Sequence, residues 1–144
     1  MSEDHLIRYC APTLAGIKTG SLFGCSCGCI DDLRKSVRAL NKRLTPKGLR
    51  LLPLRFSDGR ALMYIYRPSC LQRDLRHDAA SLILRKYGYC TDSCEHCIAQ
   101  LSRRLTSADA FPHEIGLFLG YPPKDVAGFI EHSACGSKYT GYWK

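Results

Sequence analysis

The sequence predicts an α+β fold: a small antiparallel sheet, including a hairpin near residues 49–67, covered by several helices. Three observations lead there. Ile30, Leu33, Val37, Leu40 and Leu44 recur every three or four positions and form one apolar helix face. Two alternating runs, 51–56 and 62–67, flank Ser57-Asp58-Gly59-Arg60, and Asp-Gly is a strong tight-turn signal. Beyond residue 69 the apolar residues return to helical spacing.

The elements follow in chain order. Residues 5–15 predict a short helix broken by Pro12, and 17–23 a short strand. Residues 24–28 read as a turn carrying Cys25 and Cys27. The helix over 30–44 has Asp31 and Asp32 at its positive end and Lys42 and Arg43 at its negative end, as the helix dipole favours. Pro46 and Gly48 stop it. Pro53 cannot donate to a ladder, which puts its strand at an edge. Short helices follow over 69–76 and 78–87. Asp92 and Glu95 can form a capping box for a helix whose apolar face is Cys94, Cys97, Ile98, Leu101 and Leu105. Pro112 suits the first turn of a helix through about Leu119. Pro123 suits the start of another, with Val126, Phe129 and Ile130 facing inward. A closing strand is expected over 140–144.

A chain of 144 residues is the size of a single domain, taken here as 1–144. It is long enough to bury about two thirds of its unfolded surface. No run approaches the roughly 20 apolar residues of a membrane span, so a membrane partner is not expected. The start, Met1 to His5, is acidic and polar, unlike a secretory signal. Nine cysteines is an odd number, so disulfides would leave one unpaired. Reduced thiols and a cytoplasmic location are the expectation. The formal net charge of +8 is compatible with a nucleic-acid or phosphate-rich partner. But the 21 Lys and Arg are spread along the chain. Their densest groups (Arg34, Lys35, Arg38, Lys42 and Arg43; Arg85 and Lys86; Arg103 and Arg104) lie on polar helix faces, where charges are usually just solvated.

Four constellations can carry chemistry. Cys90, Cys94 and Cys97, with His96 nearby, have a spacing that can hold zinc or an iron–sulfur cluster. The spacing matches that of radical-SAM enzymes over these eight residues alone, and the chain is too short for their barrel. Against the metal reading, Cys94 and Cys97 lie on the core face of a helix, where cysteine behaves as a small hydrophobe. Cys25, Cys27 and Cys29 alternate with small residues and can chelate a soft metal or form reactive pairs. No histidine is close to them, and a mobile thiol-rich loop is the plainer account. Cys10 stands apart from both clusters. Last, Phe111-Pro112-His113-Glu114 precedes Leu119-Gly120-Tyr121-Pro122. A histidine at a helix start can act as base or ligand, although a structural cap is commoner. It is no zinc-peptidase helix, because position 117 is Leu.

Pro112-His113-Glu114 and Leu119-Gly120-Tyr121-Pro122 resemble the PHE and LGYP motifs of an uncharacterised bacterial and archaeal family, a domain of unknown function. Cys10-Ala11-Pro12-Thr13-Leu14-Ala15-Gly16, the Asp125 to Ile130 stretch and Gly141-Tyr142-Trp143-Lys144 fit as well. The resemblance supplies no reaction. It implies that Cys10, His113 and Glu114 belong to the family's motifs, and that the clusters at 25–29 and 90–97 belong to this chain. It also implies that the usual domain continues beyond Lys144.

The leading expectation is a thiol site for thiol-dependent or redox chemistry. Cys10 is its nucleophile or redox thiol, His113 its base, and Glu114 the orienting partner of His113 or a helix cap. The alternatives are a metal or iron–sulfur protein using Cys90, Cys94 and Cys97, and a basic adaptor or nucleic-acid-binding module. On the plainest reading Pro112 and Pro122 punctuate helices, His113 and Glu114 cap them, and the cysteines fill gaps.

Overall fold

In the computed structural model, residues 18–57, 59–91, 93–107 and 112–134 are described, save the side chains of residues 107, 129 and 131–134. The helix expected over 5–15, the Asp92 cap and the strand over 140–144 lie outside the described residues. The chain divides into two units, Met1–Ser69 and Cys70–Lys144.

The first unit is built from β1 (Gly20–Ser26), α1 (Ile30–Leu44), β2 (Arg50–Ser57) and β3 (Arg60–Tyr66). The strands form an antiparallel sheet in the order β1-β3-β2. The apolar stripe of α1 is buried at Leu33, Val37, Leu40 and Leu44, and it shares one core with Phe23, Leu51, Met63 and Ile65. Ile30 was expected on that stripe and is instead 44% exposed. It is the first residue of the helix and stands outside the core cluster. Arg34 carries its guanidinium 5.9 Å from the centre of the Phe56 ring, which shields the edge of the core.

β1 runs further than expected, through Ser26 and so into the turn expected over 24–28. Gly24, Cys25 and Ser26 pair with Leu62, Ala61 and Arg60. Cross-strand pairing has overridden the local glycine signal, as tertiary context commonly does in sheets. β2 is an edge strand, as Pro53 requires. The pairing register shifts between Pro53 and Arg55, a bulge that lets both Leu51 and Leu54 be buried despite their odd spacing. Asn41 of α1 supplies partners that the edge strand lacks. Its Nδ2 donates to the Leu51 carbonyl at 2.8 Å, and the Leu51 N–H donates to its Oδ1 at 2.8 Å. Tyr64 and Tyr66, two apart on β3, share a face and stack with ring centroids 4.8 Å apart.

The second unit is helical: α2 (Pro68–Arg76, all but its first two residues), α3 (Asp78–Lys86), α4 (Cys94–Ser107), α5 (Ile115–Phe118) and α6 (Pro123–Ala134). α6 packs against α3 and α5. Cys97, Ile98, Leu101 and Leu105 of α4 are buried as their spacing predicts, and Cys94 is half-buried. The helix expected from Pro112 to Leu119 shrinks to α5. Around it the amides of Ile115, Gly116 and Leu117 donate to the carbonyls three residues back, at 3.1, 3.2 and 3.0 Å, so the entry is a tighter turn. Among the described residues no helix is long and apolar enough to cross a membrane.

Candidate functional site

The site begins where α3 stops. Gly88 adopts φ +83°, a backbone conformation that only glycine takes without strain. Its N–H donates to the Arg85 carbonyl at 3.0 Å, and the Tyr89 N–H reaches back to Leu84 at 3.0 Å. This double closure turns the chain and drives the next side chain inward. Tyr89 is accordingly buried.

One stripe of α4 holds that turn in place. Cys97, Gln100 and Arg104 are three and four residues apart, so they share a helix face. Gln100 accepts from the Cys90 N–H at 2.7 Å and donates to the Gly88 carbonyl at 2.9 Å. The Cys97 thiol donates to the Cys90 carbonyl at 3.2 Å. The strap 88–90 is thus gripped on both sides of Tyr89, and the phenol is aimed. Its hydroxyl donates to Glu114 Oε2 at 3.0 Å. Its ring tilts against Phe118 at 6.1 Å.

Arg104, one turn beyond Gln100, meets the same carboxylate, with Nε 2.5 Å from Glu114 Oε2. The contact is an ion pair rather than an aligned N–H···O bond. The guanidinium also lies 5.2 Å from the centre of the Tyr87 ring. Glu114 is only 1% exposed, whereas the Arg104 side chain is 36% exposed. Burial, then the adjacent negative charge of Glu114, pushes the Tyr89 phenol far above its ordinary value. Burial and Glu114 also raise Tyr87, partly offset by Arg104. Both phenols therefore stay protonated, and Tyr89 remains a donor.

The carboxylate of Glu114 makes no side-chain cap bond at the start of α5. The cap anticipated from its place after a proline gives way to the Tyr89 and Arg104 contacts, because a buried carboxylate gains more from a cation and a phenol than from one amide. His113 stands on the same turn, half-buried. Cys10 lies outside the described residues.

The cysteine clusters separate by burial. Cys90 is exposed, Cys94 half-buried and Cys97 buried. Burial raises the Cys94 thiol, with Arg76 opposing. Among the described residues no three His, Cys, Asp or Glu side chains are grouped as a metal ion requires. Cys25 and Cys27 sit in the core of the first unit, and burial, then Cys27, raises the Cys25 thiol. Cys29 is exposed.

The Leu119 to Pro122 motif repeats the stop of α3. Gly120 has φ +92°, and the Tyr121 N–H returns to the Gly116 carbonyl at 3.1 Å. Pro122 then accepts from Asp125 and Val126 as α6 begins. Gly120, Tyr121, Pro122 and Pro123 wall a cleft of about 250 Å³ with Arg73, Asp74 and His77. Sequence reasoning missed Tyr89, Gln100 and Arg104, and also Arg73 and His77. For the first three a signal existed: a Tyr-Gly-Tyr helix stop, and Gln100 and Arg104 four residues apart beside the apolar stripe of Cys97, Leu101 and Leu105.

A family model described as "Protein of unknown function (DUF3793)" matches residues 6–144. The chain belongs to this family. The match takes in residues of both units, and with them the Pro112–Glu114 turn and the Leu119–Pro122 stop. No curated protein and no solved structure matches the chain.

Proposed function

We propose that this DUF3793 chain is a thiol-dependent protein with a Cys–His site centred on the Pro112–Glu114 turn. Cys10 is its nucleophile or redox thiol and His113 its base. Imidazole takes the thiol proton, and the thiolate then attacks. One observation carries the reading. The residue beside the half-buried His113 is Glu114, locked by the Tyr89 phenol and the Arg104 guanidinium. That lock fixes the backbone on which the imidazole stands. Glu114 is then a positioning residue, acting through the turn.

Alkylation at pH 6 tests this, with the modified peptide located by mass spectrometry. Cys10 should react there, where an ordinary thiol with a pKa of about 8.5 is almost wholly protonated. His113→Ala should return it to the ordinary rate. If Cys10 behaves as an ordinary thiol in both proteins, the proposal is wrong.

A further inference from the structure

α4 opens on two cysteines with two residues between them, Cys94-Glu95-His96-Cys97. Cys94 is its first residue, and the first turn closes as the Cys97 N–H donates to the Ser93 carbonyl at 3.1 Å. Helix geometry puts the Cα atoms of residues three apart at about 5 Å. That lies inside the roughly 4.4–6.8 Å that a disulfide spans. Helical side chains also lean toward the helix N-terminus, so Cys97 is tilted over the turn that Cys94 begins. Cys97 is 1% exposed and Cys94 half-buried. One thiol is reachable from solvent and its neighbour is not.

The third cysteine of the cluster is placed differently. Cys90 is exposed, and its backbone is pinned at both ends. Gln100 accepts from its N–H at 2.7 Å, and the Cys97 thiol donates to its carbonyl at 3.2 Å. A bridge from Cys97 to Cys90 would have to carry the exposed side chain inward and turn the strap over. A bridge to Cys94 needs only a change of rotamer and a slight tightening of one turn.

We infer that Cys94 and Cys97 form a dithiol–disulfide site that exchanges with low-molecular-weight disulfides, and that closing it loosens the strap carrying Tyr89. Cys-X-X-Cys is a recurring redox arrangement, and a helix start favours its thiolate. Arg76 adds a cation beside Cys94, although burial outweighs it and holds the thiol above its ordinary value. The exchange therefore quickens as pH rises. As thiolate, Cys94 attacks one sulfur of a small disulfide RSSR. The S–S bond breaks, and RSH leaves with the proton that Cys94 gave up. Cys97 then loses its proton and attacks Cys94 Sγ, and a second RSH departs with that proton. Two protein thiols become one disulfide, and RSSR becomes two RSH. The new bond consumes the Cys97 S–H, so the Cys90 carbonyl loses its donor. Neither Cys10 nor His113 takes part.

The test equilibrates the full chain with reduced and oxidised glutathione at a series of ratios. Free thiols are trapped by alkylation and disulfides mapped by mass spectrometry. The Cys94–Cys97 bond should form as the ratio turns oxidising and reopen when it is reversed. In the oxidised protein the amides of Tyr89 and Cys90 should exchange roughly fivefold faster, the loss of one hydrogen bond of ordinary strength. Cys94→Ser is the deciding variant. It leaves Cys97 on the Cys90 carbonyl and cannot close, so oxidised glutathione should not speed exchange in its strap. Cys97→Ser should instead accumulate glutathione on Cys94. Circular dichroism confirms that each variant is folded. A Cys90–Cys97 bond in place of Cys94–Cys97 would overturn the inference. So would Cys94 and Cys97 staying reduced while the exposed Cys29 and Cys90 take up glutathione. A strap that does not loosen when the bond closes, or that loosens equally in Cys94→Ser, would overturn it as well.

Discussion

In the first unit a helix carboxamide, Asn41, satisfies both backbone groups of an edge-strand residue; in the second, Gln100 does the same for the strap that carries Tyr89. The devices match and their purposes differ. Asn41 completes a sheet edge, and the charged side chains of α1 all face solvent. Gln100 aims a phenol at a carboxylate buried to 1% exposure. A buried ion pair is seldom more stabilising than well-packed apolar residues of similar size. The first unit thus follows the ordinary rules of packing throughout its α1 layer, and the second departs from them at the turn bearing His113. Departures of that kind are where function is expected to lie.

The largest expected effect tests the departure itself. Glu114→Ala leaves the Tyr89 hydroxyl and the Arg104 guanidinium facing a gap. Arg104 can still reach water, so the loss should fall near the lower end for broken buried pairs, about 3 kcal/mol in denaturant unfolding. A loss under about 0.5 kcal/mol, as at an ordinary surface site, would mean that the lock is not structural.

Asn41→Ala comes next. It strips two partners from the partly buried Leu51 backbone, and about 2 kcal/mol should be lost. Gln100→Ala should cost less, because its bonds are exposed and water can replace them. Equal losses from the two would erase the distinction between edge and strap.

Gly88→Ala places a Cβ at φ +83° and should cost about 1 kcal/mol. It should also loosen Tyr89, visible as faster amide exchange at 89 and 90.

The smallest effect is a pH slope. Tyr89 is raised above its ordinary value of 10.0, so in alkali the unfolded chain releases this proton before the folded one does. The stabilisation from Tyr89 is therefore complete below pH 10 and is lost as pH rises beyond it. Tyr89→Phe should flatten that part of the profile relative to the parent protein. Identical slopes in the two proteins would show that burial and the neighbouring Glu114 do not hold the phenol protonated.

Much of this was legible in the residues. The period of 30–44 is a local property, and so is the alternation on either side of Asp58-Gly59; both elements formed with nearly their expected bounds. Pro53 foretold an edge strand because a missing N–H cannot serve two neighbours. The Cys94–Leu105 stripe marked the buried face of α4. Less legible were the features set by a distant partner. The end of β1 depends on whether β3 lies beside it. The bulge at Pro53–Arg55 depends on which leucines the core accepts. Glu114 looked like a cap because local sequence shows a carboxylate after a proline and nothing more.

The sequence by itself determined the helices with a clear apolar period, the hairpin, the helix stop at Pro46 and Gly48, and the family. Each rests on neighbours in the chain or on a pattern shared along it. The tertiary structure alone decided that Tyr89, Arg104 and Glu114 meet, and that Gln100 and Cys97 grip the strap. Tyr89 and Glu114 are 25 residues apart in the chain. A contact at that separation is set by how helices pack, and packing is a property of the whole core rather than of any window of residues.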